Sequence, residues 1–264
     1  MVRKGIVILA SLFSVLLVVS VVFVSGLVDV SILSFISPGS NSTAEVTSTA
    51  SVFVDPAALI QDYAALPIGS KFTVHVNVSG VTDLFSWQIN LTWNKAILNL
   101  SRISTGEFLL RTASVSKTAA YQLGCVINRT DNANGFTGMG ESILGGVPGI
   151  SGDGRLVSIE FLIVGYGSSN LTISLAGNLA TTLLSSTGNS LTFTATDGYF
   201  RNALSGDANI DKTVNVFDIL AVKSRWGTTP ASPNWVREYD VNLDDAINVF
   251  DILTVKANWG RTAP

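Results

Sequence analysis

The sequence predicts a mainly β protein: an antiparallel β-sandwich, with an apolar segment before it and a small helical module after it. Three observations carry this prediction. Apolar and polar residues alternate along short stretches in the middle of the chain, and a period of two is the signature of a half-buried strand. A 33-residue repeat occupies the C-terminal end. Near the N-terminus, residues 5–28 contain no charged side chain.

The N-terminal segment, residues 1–30, is predicted to be a membrane anchor or a signal peptide. Arg3 and Lys4 precede an apolar run that would reach about 36 Å as a helix, enough to cross a hydrocarbon core of roughly 30 Å. The run is longer than a usual signal-peptide core, which favours an uncleaved anchor. Cleavage after Val24-Ser25-Gly26 and a buried core helix are the alternatives. With an anchor or a signal peptide, the two basic residues stay in the cytoplasm and the chain beyond residue 30 lies outside.

Residues 31–51 are predicted to form a linker, because the Ser- and Thr-rich stretch 37–51 holds almost nothing that can build a core. Six Asn-x-Ser/Thr sequences occur along the chain, and each is a candidate glycosylation site in an exported protein. An unmodified asparagine is the alternative at every one of them. The six are Asn41, Asn77, Asn90, Asn99, Asn128 and Asn170.

Residues 52–203 are predicted to form the sandwich. Phe72, Val74, Val76 and Val78 alternate with polar residues, and a second alternating run extends over 85–93. Turn signals such as Asn134-Gly135 and Gly152-Asp153-Gly154 separate the runs, and no long amphipathic helix interrupts them. Roughly nine short strands in about 150 residues are typical of an antiparallel sandwich or jelly roll.

Residues 52–200 resemble a cohesin domain, one of a group of sandwiches related to carbohydrate-binding modules. The resemblance rests on four stretches: 69–72, 85–98, 154–161 and 197–200, the last reading Asp-Gly-Tyr-Phe. It implies the cohesin sandwich, and it leaves open whether the domain binds a dockerin or a glycan. Within this domain, Trp87 and Trp93 fit a core better than a sugar-stacking platform.

The sandwich sequence has no arrangement typical of an enzyme, so we expect no catalytic residues. No two carboxylates stand as an acid–base pair for a glycosidic bond. The only histidine, His75, lies on the polar face of a predicted strand, and the only cysteine, Cys125, lies in an apolar strand. A small buried side chain is expected there rather than a nucleophile. The net charge of −3 gives no basic surface for nucleic acid.

The C-terminal repeat places oxygen-bearing side chains at matching positions of two loops. Positions 1, 3, 5, 9 and 12 carry Asp or Asn, and position 7 supplies its backbone carbonyl. Ca²⁺ takes six to eight oxygen ligands, and this spacing is that of an EF-hand loop. The sequence therefore predicts two calcium sites. Their ligands are Asp207, Asn209, Asp211, Thr213, Asn215 and Asp218 in the first loop, and Asp240, Asn242, Asp244, Ala246, Asn248 and Asp251 in the second.

Both loops depart from the usual EF-hand at two positions. Position 6 is normally glycine, because the chain turns sharply there, but it is Lys212 in the first loop and Asp245 in the second. Aspartate tolerates the left-handed conformation better than lysine, so the second site is the more certain. Position 12 is Asp218 or Asp251 rather than Glu, and this shorter side chain predicts less fully bidentate coordination.

A short amphipathic helix is predicted after each loop, and another between the repeats with Ser232 as N-cap and Pro233 in its first turn. Tandem loop–helix units over residues 205–262 resemble a type I dockerin. The resemblance implies a calcium-dependent module that docks onto a cohesin through its helices. The alternative is that the phenylalanines form the module's own small core. The implied recognition residues are Val216, Phe217, Val249 and Phe250.

Together these features indicate a non-catalytic extracellular adaptor or scaffold protein. Its partners would be cohesin- or dockerin-bearing proteins, bound in the presence of calcium within a cellulosome-like or cell-surface assembly. The alternative is a carbohydrate-binding surface protein that takes part in polysaccharide degradation. We expect the protein on the extracellular face of the membrane, held by its N-terminal segment, or in secreted form.

Overall fold

A computed structural model describes residues 49–110, 122–177 and 179–264, and within these ranges the chain forms eleven strands and two α-helices. The predicted anchor, most of the predicted linker and Asn41 lie outside the described residues. Within them, no helix has the length and apolar character needed to span a membrane. The strands are β1 (Ala50–Asp55), β2 (Ala58–Ile60), β3 (Lys71–Thr92), β4 (Leu98–Thr105), β5 (Gln122–Asp131), β6 (Phe136–Leu144), β7 (Ile150–Ile163), β8 (Ser168–Ile173), β9 (Thr182–Ser185), β10 (Phe193–Thr196) and β11 (Gly198–Arg201).

The C-terminal elements are short. Helix α1 spans Val216–Ser224 and helix α2 spans Val249–Ala257, with a one-turn 3-10 helix at Arg237–Tyr239 between them. The helix predicted to begin near Ser232 is therefore wrong in position. The hydroxyl of Ser232 instead accepts the backbone N–H of Thr229 at 3.1 Å, which fixes a turn before the 3-10 helix.

Strand β3 is the longest element and connects most of the sandwich. Its first half pairs with β1 on one side and β7 on the other. Its second half pairs with β6 on one side and with β9 and β8 on the other. The register shifts between Val78 and Leu84, because a strand that passes from one sheet to another bends through irregular pairing. The sequence analysis predicts two separate strands here. That prediction is wrong, since Gly80 bends the strand without ending it.

Three further details differ from the predicted sandwich. β1 pairs with β10, and β2 pairs with β11, in parallel, so the fold is not purely antiparallel. The predicted turn at 152–154 lies inside β7, where β7 follows the bend in β3. β1 begins at Ala50, just inside the predicted linker.

One apolar core holds both halves of β3 together. Val74, Val76 and Val78 from the first half and Trp87 and Ile89 from the second are buried in the same cluster. Because the two halves bury their alternating side chains together, the sheets built on them face each other, and the predicted alternation is confirmed. Burial of these side chains stabilises the fold by about 2 kcal/mol each.

Trp93, also belongs to the core. Its indole N–H donates to the carbonyl of Leu98 at 2.8 Å. Its ring meets that of Phe161 edge-on, with centroids 5.1 Å apart. With Trp87 at 2% and Trp93 at 7% exposure, neither ring is available for stacking on a sugar.

The sandwich and the C-terminal module lie within one compact unit and share ionic contacts. The guanidinium of Arg261 donates twice to the carboxylate of Asp62, at 2.8 Å each. The backbone N–H of Ser205 donates to the same carboxylate at 2.9 Å. At a second point, the hydroxyls of Tyr199 and Ser168 donate to Glu238 at 3.0 and 2.9 Å. These contacts fix the module against one end of the sandwich.

The ion pair between Asp62 and Arg261 should make the stability of this junction depend on pH. The guanidinium of Arg261 lowers the pKa of Asp62 below its ordinary value of 3.8. A carboxyl whose pKa is lowered by folding stabilises the fold above its unfolded pKa, and this contribution is lost as the pH falls. We expect Asp62→Asn to reduce the free energy of unfolding by about 1 kcal/mol near neutral pH. The difference from wild type should shrink below about pH 4.

Denaturant unfolding at several pH values measures this difference. Glu160→Gln is the matched control, because Glu160 forms its ion pair with Lys71 at 2.9 Å on a more exposed surface. The control should lose less stability. An Asp62→Asn deficit that persists unchanged at low pH would contradict the assignment to the ion pair.

Candidate metal centre and docking surface

The first loop wraps its backbone around the carboxylate at position 1. Oδ1 of Asp207 accepts the N–H of Asp211 at 3.1 Å, and Oδ2 accepts the N–H of Lys212 at 2.9 Å. The second loop repeats both contacts around Asp240, at 3.1 and 3.0 Å. The two halves of the sequence repeat therefore fold alike, and each directs N–H groups at its own position-1 carboxylate.

Position 6 makes a left-handed turn in both loops although neither loop has glycine there. The φ angles are +75° at Lys212 and +61° at Asp245. Position 4 is left-handed as well, at +58° for Ile210 and +64° for Leu243, which the sequence analysis did not predict. A non-glycine residue in this region costs about 1 kcal/mol or more. Both loops thus hold a strained backbone, and contacts around them must offset the cost.

Position 12 lies in the first turn of the following helix, as predicted. Asp218 accepts the backbone N–H of Asn215 at 2.8 Å, while the side chain of Asn215 accepts the N–H of Phe217 at 2.8 Å. This reciprocal pair is a capping box, which satisfies N–H groups that a helix start leaves free. Asn248 and Asp251 form the same box on α2. The sequence analysis missed the box, although Asn-x-x-Asp was its signal.

The loop carboxylates are buried without a cationic partner. Asp207, Asp218, Asp240 and Asp251 are all at most 3% exposed. Burial, followed by neighbouring carboxylates, raises the pKa values of Asp218, Asp240 and Asp251. Among the described residues, the ion pairs are Lys71–Glu160, Arg155–Glu107 and Arg261–Asp62, and none includes a loop aspartate. A buried charge is costly unless it is paired, so these sites favour a bound cation.

The described residues contain no group of three or more His, Cys, Asp or Glu side chains arranged to hold a metal ion. A cation in these loops would therefore need the asparagine side chains and backbone carbonyls at positions 3, 7 and 9 as well. Oxygen donors of this mixed kind suit Ca²⁺. The structure leaves the individual ligand assignments as predictions.

Each loop is closed by the chain that leaves the other repeat. The backbone of Val214 exchanges two hydrogen bonds with residues 260–261, both 2.9 Å long. Ile247 exchanges two with residues 227–228, at 2.8 and 3.0 Å. Val214 and Ile247 are fully buried in one small cluster with Val222 of α1. The two repeats therefore depend on each other for their shape.

The outer faces of both helices are apolar and exposed. Phe217 is 60% exposed and Phe250 is 58% exposed, and neither belongs to the buried cluster of the module. The alternative in which these phenylalanines form the module's own core is therefore wrong. The exposed apolar residues on and just after the helices are Val216, Phe217, Leu220, Trp226, Val249, Phe250, Leu253 and Trp259.

The candidate glycosylation sites differ in exposure. Asn90 is 9% exposed and its side-chain oxygen accepts no hydrogen bond from the described residues, so the folded chain leaves no room for a glycan there. Asn77 and Asn99 are half-buried, whereas Asn128 and Asn170 are exposed. The exposed pair therefore remains the best candidate among the described sites.

Two family models match the chain. The cohesin domain matches residues 56–216 and the type I dockerin domain matches residues 205–258, so the two matches overlap in the first loop. No curated protein sequence matches the chain.

Solved structures of cohesins are similar to the chain. A non-cellulosomal cohesin from Archaeoglobus fulgidus is 18% identical, with 61% of this chain and 96% of that chain covered and a TM-score of 0.41. The second type II cohesin module of the adaptor scaffoldin ScaA from Acetivibrio cellulolyticus is 15% identical, with 59% and 96% covered and a TM-score of 0.45. The sixth cohesin of scaffoldin B from the same organism, solved with a dockerin, is 16% identical, with 59% and 99% covered and a TM-score of 0.41.

Proposed function

Because the chain belongs to the cohesin family and continues into a type I dockerin domain, we propose that it is a non-catalytic adaptor that joins proteins by calcium-dependent docking. Its partners are proteins that carry cohesin or dockerin domains, as in a cellulosome-type assembly. The cohesin sandwich would receive a dockerin, and the chain's own dockerin module would dock onto a cohesin on another protein. One chain can thereby link two others.

The observation that carries this proposal is the exposed apolar surface of α1 and α2. Two large aromatic side chains, Phe217 and Phe250, project from equivalent positions of the two repeats. A contiguous apolar surface of this kind on a soluble module marks an interaction site. Aromatic residues at the centre of an interface commonly supply most of its binding energy. We therefore assign partner recognition to these phenylalanines and to the valines that precede them, Val216 and Val249.

Calcium fits the loops because it would neutralise their buried carboxylates. The twelve predicted ligand positions would hold two ions, one in each loop. Bound Ca²⁺ would supply the positive charge that the module's own side chains do not place near these aspartates. Since Asp218 and Asp251 also cap α1 and α2, occupation of the loops would fix the helix starts and, with them, the recognition residues at those starts.

The alternative of carbohydrate binding has weaker support. Its aromatic platform would have been Trp87 and Trp93, and both rings are buried in the core. The cavity lined by Thr92, Asn94, Ser168 and Glu238, with a volume of about 340 Å³, is polar, and Trp93, the one aromatic residue that lines it, is buried. We therefore keep protein docking as the proposed function.

We further propose an extracellular location, with residues 1–30 as an anchor or signal peptide, 31–51 as a linker, 52–203 as the cohesin domain and 205–262 as the dockerin module. The charge-free run at 5–28 and the exposed sequons support this arrangement. A linker of about 20 flexible residues would let the docking unit sample positions roughly 25 Å from its attachment point.

Removing calcium should loosen the helices of the module before the sandwich. EGTA would leave the buried loop carboxylates uncompensated, and small modules depend on metal energy to fold. Hydrogen exchange of the full-length chain in detergent measures this. We expect amides in 216–224 and 249–257 to exchange at least tenfold faster in EGTA, and added calcium to restore protection. Strand β3 serves as the internal control. Equal protection with and without calcium would contradict the proposal.

Removing both phenylalanines should abolish docking. The double variant Phe217→Ala/Phe250→Ala should lower calcium-dependent capture of cohesin-bearing surface proteins at least tenfold, because central aromatic anchors contribute about 2 kcal/mol or more each. Quantitative mass spectrometry of captured proteins is the measurement. Ile68→Ala/Leu175→Ala is the matched control, since these exposed apolar residues lie on the sandwich. Capture by the phenylalanine variant at the wild-type level would refute the assigned surface.

A further inference from the structure

A tyrosine of the sandwich reaches into the first loop. Tyr166 lies between β7 and β8, and its hydroxyl donates to Oδ2 of Asp207. The same hydroxyl accepts the N–H of Leu204 at 2.8 Å. Burial, reinforced by the Asp207 carboxylate, raises the pKa of Tyr166, so the hydroxyl remains protonated and able to donate. The ring packs against Tyr63, with centroids 5.3 Å apart. The hydroxyl is therefore held in place from both sides.

The same tyrosine also meets the strained position 6 of the first loop. The N–H of Lys212 donates to Oδ2 of Asp207 at 2.9 Å, the oxygen that Tyr166 contacts. The ammonium of Lys212 lies 6.0 Å from the centre of the Tyr166 ring, within reach of a cation–π interaction. It also donates to the backbone oxygen of Pro264 at 2.7 Å. Tyr166 thus contacts both unusual features of this loop, the buried position-1 carboxylate and the lysine that replaces glycine.

A second sandwich residue holds the backbone of Asp207. Arg201 of β11 is 4% exposed, and its guanidinium donates to the carbonyl of Asp207 at 2.6 Å. The position-1 residue is therefore fixed at its carbonyl and at Oδ2 by groups outside the loop. Oδ1 accepts one hydrogen bond among the described residues and, with two lone pairs on a carboxylate oxygen, retains one for a cation.

The second loop lacks this support. Asp240 accepts N–H groups from Asp244 and Asp245, but in the described part of the chain no side-chain hydroxyl donates to it. The two loops have almost the same sequence and the same internal hydrogen bonds, so the difference between them comes from the surroundings. Only the first loop is built partly by the sandwich.

We propose that Tyr166 is a positioning residue of the first calcium site, through which the sandwich sets the calcium affinity of the adjoining module. This inference rests on the calcium binding proposed above. A partner that hydrogen-bonds a metal-binding carboxylate fixes its orientation, and loss of such a partner commonly costs 10- to 100-fold in metal affinity. Coupling of this kind is reciprocal, so calcium in the first loop also stabilises the end of the sandwich around Tyr166.

Calcium titration calorimetry of the full-length chain in detergent tests the proposal. Tyr166→Phe removes the hydroxyl and keeps the ring. We expect calcium to bind about tenfold more weakly at one site and unchanged at the other. In the Asp240→Asn background, which disables the second loop, the remaining site should be the one that Tyr166→Phe weakens. Tyr63→Phe is the matched control, because it makes the same chemical change on the neighbouring ring, and it should leave both affinities unchanged.

The outcomes separate the two proposals. A wild-type chain that binds no calcium would overturn the proposed function itself. Two wild-type sites that both keep their affinity in Tyr166→Phe would overturn only the positioning role, as would equal weakening of both sites. A second measurement needs no substitution and decides the matter if the variant does not fold. In the wild-type chain, calcium should slow hydrogen exchange at residues 164–167 and at Leu204, and unchanged exchange there would overturn the proposal.

Discussion

The structure of the C-terminal module depends on four carboxylates that are buried without a cationic side chain. Asp207 and Asp240 open the loops, and Asp218 and Asp251 close them. Each carboxylate organises nearby backbone N–H groups, so the turns and the helix starts form around these groups. Uncompensated negative charge at such sites opposes folding. A cation in each loop would reverse this effect, which is why we connect calcium directly to the position of the helices.

The small size of the module explains why its helices face outward. Its buried cluster uses Val214, Val222, Ile247 and Val255, and the nine-residue helices have little further surface to bury. Phe217 and Phe250 consequently remain exposed. Contacts with the sandwich, made by Asp62, Tyr166 and Glu238, fix the opposite side of the module. A docking surface supported in this way loses less conformational freedom when a partner binds.

Features set by local pattern were predictable from the sequence, whereas those set by distant contacts were not. Alternation predicted the buried valines of β3, and the repeat predicted both loops and the helix positions. Gly80 was taken as the end of a strand, because a glycine signal cannot distinguish a bend between two sheets from a turn. Left-handed Ile210 and Leu243 escaped prediction because their side chains disfavour that conformation. Tyr166 escaped it because the contact with Asp207 joins residues that are 41 positions apart.

The central claim is that the two loops carry calcium in the folded protein. Native mass spectrometry of the full-length chain, purified with calcium and released from detergent micelles, tests this most directly. The account predicts a mass increase of two calcium ions per chain, which falls to one ion in Asp240→Asn. A chain whose mass shows no bound calcium, while hydrogen exchange shows both helices folded, would contradict the account.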